Sequence, residues 1–179
     1  MTEQRPQADF TIRPYEPGDQ ERVRWLLART PPWGRTYPRP EPLPADLEDI
    51  PGNYPGGCFV AVEQDMAGEA LIGLTAVSIM TDAEQNDLPE FMRRSPNMSR
   101  IHWVSVAPER WRLGVGRDLT QRAVDWAAGS GSPSVVLSTT VQQRGAIALY
   151  ETMGFVARGT ETRDRWTSVY MELEFSGVG

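Results

Sequence analysis

The stretch Val104-Ser-Val-Ala-Pro-Glu-Arg-Trp-Arg-Leu-Gly-Val-Gly-Arg117 gathers residue types that can hold a phosphate. Gly114 and Gly116 lack a Cβ, so the backbone there can turn tightly and approach a ligand. Behind them Val115, Leu119, Ala123, Trp126 and Ala127 recur at helical spacing. The first turn of such a helix offers N–H groups without intrahelical partners, at the positive end of the dipole. Arg110, Arg112 and Arg117 add charge around it. The loop lacks both the Gly-Lys-Ser/Thr of a nucleoside-triphosphate loop and the third glycine of a dinucleotide fingerprint. Taken alone, it leaves open an ordinary strand-to-helix turn as well as a pyrophosphate cradle.

Groups able to move a proton or attack a carbonyl are few. His102 is the single histidine, and an unperturbed imidazole pKa of ~6.5 suits a base, although a lone histidine on a strand also reads as structural. Cys58 is the single thiol and opens an apolar segment, where a buried, inert side chain is expected. No neighbour in sequence would lower its pKa, which disfavours a covalent route. Lysine is absent and all 18 basic residues are arginine, so no side-chain amine can serve as a base or be acetylated. With one histidine and one cysteine, no metal site is expected.

The elements that must position these groups follow from pattern. Residues 1–9 read as a loose tail. A strand at 10–15 leads through Pro17-Gly18-Asp19, with Asp19 as helix cap, into a helix ending near Thr30. Residues 31–57 carry eight of the 15 prolines together with Trp33, Tyr37 and Tyr54, and a short helical piece is expected near 45–50. This segment reads either as a solvated connector or as a binding loop with aromatic walls. Strands at 57–62 and 70–80 form a hairpin. Residues 81–99, with Asp82, Glu84, Asp87 and Glu90, read as a second long, solvated loop that could supply carboxylates through water. A strand at 101–106, the long helix, a buried strand at 133–138 and a helix at 143–153 closed by Gly154 follow. The last strands are expected at 155–157 and 166–175, with 158–165 turning between them.

Ala146-Ile-Ala-Leu-Tyr-Glu-Thr-Met-Gly-Phe155 is the companion of the glycine loop. Over roughly residues 100–158 the two segments together resemble the GCN5-related N-acetyltransferase (GNAT) family. The resemblance implies an α/β fold with a mixed, mostly antiparallel twisted sheet of about six to seven strands flanked by helices. Its central parallel pair, 101–106 and 134–138, would splay around the arm of acetyl-CoA. Backbone N–H groups of Arg112, Leu113, Gly114, Val115, Gly116 and Arg117 would then hold the pyrophosphate. Main-chain groups of Val104 and Val106 would bond the pantetheine arm, with Gln143 at the family's asparagine position. Tyr150 would be the general acid. Trp111 stands where the family carries Gln or Arg, and Arg100 stands where many members carry a glutamate base. His102, two residues on, shares its side of the strand.

The implied function is direct transfer of the acetyl group of acetyl-CoA to a primary amine of a small molecule or peptide in a ternary complex. A non-catalytic acyl-CoA-binding or sensing domain, or transfer of a larger acyl group, are the alternatives. Trp33, Tyr37, Asp82 and Glu84 are the expected acceptor contacts, since aromatic faces and carboxylates attract cations. A net charge of −6 argues against a nucleic-acid partner. No apolar run approaches a membrane span, so a cytoplasmic, single-domain chain over 1–179 is expected, with a homodimer left open.

Overall fold

The structure, a computed structural model, describes residues 9–30, 44–66, 68–92 and 95–175. Seven strands form one sheet: β1 (Phe10–Pro14), β2 (Cys58–Asp65), β3 (Gly68–Ile79), β4 (Ser99–Val106), β5 (Ser134–Thr140), β6 (Val156–Arg163) and β7 (Trp166–Glu174). Their order is β1-β2-β3-β4-β5-β7-β6. Only the β4–β5 pair is parallel. Helices α1 (Gln20–Arg29), α2 (Ala45–Glu48), α3 (Ile50–Asn53), α4 (Asp82–Asn86), α5 (Val115–Gly129) and α6 (Arg144–Thr152) flank the sheet.

The two faces are covered by different helices. Val23, Leu26 and Leu27 of α1 pack with Leu74, Ala76 and Trp103 on one face. Ala123, Val124 and Ala127 of α5 pack with Val77, Ile101 and Val135 on the other. Because both its faces are covered, the centre of β3 reads as a continuous apolar run rather than an alternating one. Gly73 lets α5 come close: a Cβ there would meet Leu119 Cδ1 at 2.8 Å. Cys58 is buried as expected, and burial pushes its thiol up to about 12.

Three readings from sequence change. Asp19 does not cap α1 with its side chain. Its buried carboxylate accepts from Arg13 (2.7 and 2.9 Å) and Arg22 (2.5 Å), tying β1 to α1. Residues 81–99 are not merely a solvated loop. Thr81 and Glu84 cap α4 reciprocally, with Thr81 N–H to Glu84 Oε2 at 2.7 Å. Beyond α4, Leu88, Met92 and Met98 are buried against Met80, Val136 and Tyr170. The apolar residues spaced between the charges pull the segment onto the sheet. Finally, residues 158–163 are not a turn: β6 runs on to Arg163 and pairs with β7 down to Arg163↔Trp166. Thr160 and Thr162 favour extended backbone, and the turn contracts to Asp164 at φ 54° and its neighbour.

Candidate active site

The site begins where two strands part. β4 and β5 share only two rungs, Ser99↔Val135 and Arg100↔Val136. Just beyond, the β3–β4 register jumps from Val77↔Ile101 to Ala76↔Trp103, so His102 is an extra residue on β4. Such a bulge bends the strand and sharpens its twist, turning β4 away from β5. On the far side of β4 the ladder to β3 continues, with Ala107 N–H donating to Ile72 O at 2.8 Å. Main-chain groups alternate in direction along a strand, so those of Val104 and Val106 point into the gap. Trp111 Nε1–H donates to Val106 O at 2.8 Å, which leaves the Val106 N–H and both groups of Val104 along this edge.

At the end of β4 the chain turns into α5 through Gly114, whose φ of 92° suits glycine. The first helical bond is Asp118 N–H to Gly114 O at 3.0 Å. The N–H groups of Val115, Gly116 and Arg117 therefore have no partner within the helix. A Cβ at Gly114 would meet nothing within 4 Å, so the surface before the helix is open. Arg112 (φ 65°) and Leu113 are exposed in this turn. Arg110 does not join them. Its guanidinium is bound to Glu63 Oε2 at 2.8 Å and Oε1 at 2.5 Å, so the expected charge above the helix is reduced to Arg112 and Arg117. Arg117 leans towards α6, 3.4 Å from Thr152 Oγ1.

Between the α1-face residues Asp46 and Tyr54 and Trp126 of α5, a cavity of about 670 Å³ is lined also by Ser78, Glu84 and His102, among others. His102 Nε2 lies 2.9 Å from Ser78 Oγ and 3.7 Å from Glu84 Oε1, and its ring centroid is 5.2 Å from that of Tyr54. Burial, with the Arg100 charge adding to it, pushes His102 down to about 4. The imidazole is therefore neutral at pH 7, its pKa below the unperturbed value of ~6.5 from which the sequence reading started. Asp46 Oδ2 accepts from Tyr54 OH at 2.5 Å and Trp103 Nε1–H at 2.7 Å. Burial and Asp46 both push the Tyr54 phenol up. Asp82 is exposed in the first turn of α4 and does not line the cavity, so only Glu84 of that pair meets His102. Trp33 and Tyr37 lie outside the described residues.

Tyr150 stands on the opposite face, near the end of α6. It is buried beside Phe155 (centroids 5.8 Å apart), and burial alone pushes it up to about 12. Gln143 is half-buried at the N-cap of α6, where its main-chain carbonyl, not its side chain, accepts from Ala146 and Ile147. The cavity residues missed from sequence are Asp46, Ser78 and Trp126. Asp46 and Trp126 were read only as parts of expected helices, and the Asp46 partner Trp103 is 57 residues away. Among the described residues, no group of three or more His, Cys, Asp or Glu could hold a metal, and no helix is long and apolar enough to cross a membrane.

A mixed sheet whose only parallel pair splays beneath an open helix N-terminus defines a class, and the comparisons agree on which. The acetyltransferase (GNAT) family model matches residues 21–155, and the chain belongs to that family. It is 33% identical over 138 residues to N-acetyltransferase family 8 member 3 of Rattus norvegicus, covering 75% of this chain and 54% of that protein. With the mycothiol acetyltransferase of Kocuria rhizophila it shares 28% identity over 148 residues, 80% of this chain and 45% of that one. The chain spans about half the length of the curated relatives it matches. Among solved structures, one of the NatC complex bound to Gag peptide and CoA has a TM-score of 0.74 at 15% identity, covering 94% of this chain and 99% of that one. Arabidopsis thaliana NAA60 in complex with acetyl-CoA gives 0.68 at 17%, covering 94% and 99%. These likenesses show a shared fold.

Proposed function

We propose that this chain transfers the acetyl group of acetyl-CoA directly to a primary amine of a small molecule or peptide, in a ternary complex. The observation that carries this reading is the parting of β4 from β5 after two rungs, below three unpaired N–H groups of α5. The residues present fit such a co-substrate. The α5 N-terminus suits pyrophosphate, with Arg112, Leu113, Gly114, Val115, Gly116 and Arg117 around it. The free edge of Val104 and Val106 suits an amide-bearing arm, and Gln143 offers an amide beside its path. When bound, acetyl-CoA supplies the activated acetyl thioester.

The chain's own groups supply the rest. A Val104 or Val106 N–H would polarise the acetyl carbonyl as a fixed donor. Tyr150 keeps its proton throughout the working pH range and serves as donor to the departing sulfur. Glu84 and Asp46 make the cavity attractive to a protonated amine. His102, neutral and fixed by Ser78, orients the amine, and Glu84, 3.7 Å from its Nε2, is placed to take the proton through water. Cys58 carries no step, because its buried thiol holds its proton.

The test is titration calorimetry with acetyl-CoA, followed by CoA release across a panel of small and peptide amines. Binding with turnover of at least one amine is expected. Failure to bind acetyl-CoA overturns the reading. Binding without turnover of any amine moves the chain to the non-catalytic, acyl-CoA-binding alternative.

A further inference from the structure

The strands carry arginines at Arg13 on β1, Arg100 on β4, and Arg158 and Arg163 on β6. All but one of these hold a carboxylate. Arg13 binds Asp19 at 2.7 Å, Arg158 binds Glu172 at 2.8 Å and Arg163 binds Glu161 at 2.8 Å. Arg100 holds none among the described residues. Its guanidinium reaches across to β5, where Ser138 Oγ accepts at 3.5 Å, the long limit of a hydrogen bond. Arg100 is nonetheless half-buried. A guanidinium withdrawn from water without an opposite charge costs free energy, so a buried charge ordinarily meets a partner.

The surroundings of Arg100 point to what that partner is. Arg100 pairs across the strands with Ser78 on β3 and Val136 on β5, so the three side chains share one face of the sheet. Ser78 lines the cavity, with its Oγ 2.9 Å from His102 Nε2. Val136 packs with Tyr170, the cross-strand partner of Ser138. Arg100 therefore stands between the cavity and Tyr170, and its charge acts on both. Burial lowers the His102 imidazole and Arg100 lowers it further, while burial raises the Tyr170 phenol and Arg100 opposes that rise. Glu84 Oε1 lies 3.7 Å from the same imidazole. A carboxylate and a guanidinium thus both stand near His102, and they form no ion pair with each other.

We propose that the Arg100 guanidinium, with Ser138 Oγ, holds a carboxylate of the acceptor, so that the acceptor is a zwitterion whose amine is drawn to Glu84 and whose carboxylate is drawn to Arg100. The planar guanidinium can meet both oxygens of a carboxylate, and the hydroxyl can donate one bond more. The class is the free amino acids and short peptides that bring an amine and a carboxylate within reach of one cavity. A plain amine or an amino-acid amide would leave Arg100 half-buried and unpaired. The inference rests on the acetyltransferase reading given above.

The test is an acceptor panel with acetyl-CoA, read as CoA release, in matched sets: free amino acids, their carboxamides and the corresponding decarboxylated amines. The best acceptor should be a free acid, preferred over its own amide about ten- to a hundredfold in kcat/KM, as a charge-assisted hydrogen bond predicts. Arg100→Gln should raise KM for the acid far more than for the amide and so erase the preference. Arg100→Lys, which keeps the charge but not the fork, should retain part of it. A best acceptor without a carboxylate, or a preference that survives in Arg100→Gln, overturns the inference and leaves acetyl transfer standing. An equal fall in kcat for acid and amide also overturns it, and assigns Arg100 to the reacting thioester instead. Binding of acetyl-CoA without turnover of any member removes the acceptor and this site with it. Failure to bind acetyl-CoA removes the acetyltransferase reading itself.

Discussion

The gap between β4 and β5 opens onto two unlike faces. On the α5 and α6 side Tyr150 sits in an apolar cluster with Ile101, Leu137 and Phe155. Between that side and the α1 side, His102 stands among Ser78, Glu84, Asp46 and Tyr54 in a cavity that also meets Trp126 of α5. One physical cause acts on both faces. Burial penalises the charged form whatever its sign, so it raises the phenol to about 12 and lowers the imidazole to about 4. At pH 7 the protein thus holds a protonated phenol on one side and an unprotonated imidazole on the other. What separates the two groups is fixed charge: Asp46 and Glu84 line the cavity beside His102, whereas the described residues packed around Tyr150 are apolar, and that asymmetry gives the gap a direction.

The sharpest way to break this contrast is to remove the phenol hydroxyl, the proposed donor. Tyr150→Phe keeps the ring against Phe155 and deletes only the hydroxyl. Turnover should fall about 10²- to 10⁴-fold, while calorimetry shows nearly unchanged affinity for acetyl-CoA. Near-full kcat would reduce Tyr150 to a packing residue.

The imidazole is tested through stability. Its folded value of about 4 lies below the unfolded 6.5, so between these values the unfolded chain binds the extra proton. The contribution is therefore fully present above pH 6.5 and is lost as pH falls towards 4, by about 3 kcal/mol in total. Urea denaturation at pH 7 and pH 4.5 should show the loss in wild type and a smaller one in His102→Gln. Parallel losses in the two proteins would mean the imidazole is not held neutral.

Gly114→Val probes the mouth that both faces share. A side chain at φ 92° costs about 1–2 kcal/mol in backbone strain, and its methyl groups enter the open surface before α5. Acetyl-CoA affinity should drop about tenfold or more, the equivalent of losing a charge-assisted hydrogen bond. An unchanged titration would remove pyrophosphate from this loop.

The smallest effect separates two acidic neighbours. Glu84→Gln keeps a cap for Thr81 but removes the charge facing His102, and should raise KM for the best amine roughly three- to tenfold. Asp82→Asn, two residues away but exposed and off the cavity, should leave it unchanged. Equal effects from the two would mean that diffuse charge, not the cavity wall, attracts the amine.

Local pattern carried the elements into view. The spacing of Val115, Leu119, Ala123 and Ala127 marks the buried stripe of α5, and Gly154 ends α6 at φ 94°. The splay was implied only by family likeness, because a bulge at His102 depends on the register with β3 and leaves no local mark. The cavity was half legible. Tyr54 and Glu84 were singled out by type, but Asp46 joins them only through hydrogen bonds to Tyr54 and to Trp103 on a strand far along the chain. Arg110 looked free for phosphate because Glu63, 47 positions earlier, cannot be paired with it by local reading. The capping pair Thr81 and Glu84 was legible, as Thr-x-x-Glu before a helix, and the density of charge around it hid the signal.

The buried Cys58 has a consequence for how a chain with the proposed activity would coexist with a reactive thioester. With no lysine anywhere and burial pushing its one thiol up to about 12, the folded chain would present the proposed acyl donor with no side-chain amine or thiolate to acylate. At pH 7 only about one thiol in 10⁵ is ionised while the core is closed, so alkylation of Cys58 waits for the β2 region to open. The labelling rate then clocks that opening. Any molecule that binds only the closed form slows the clock by a factor of 1 + [L]/Kd. Occupancy of the gap between β4 and β5 is thereby written into the lifetime of a single sulfur atom, whether or not an acceptor amine is present.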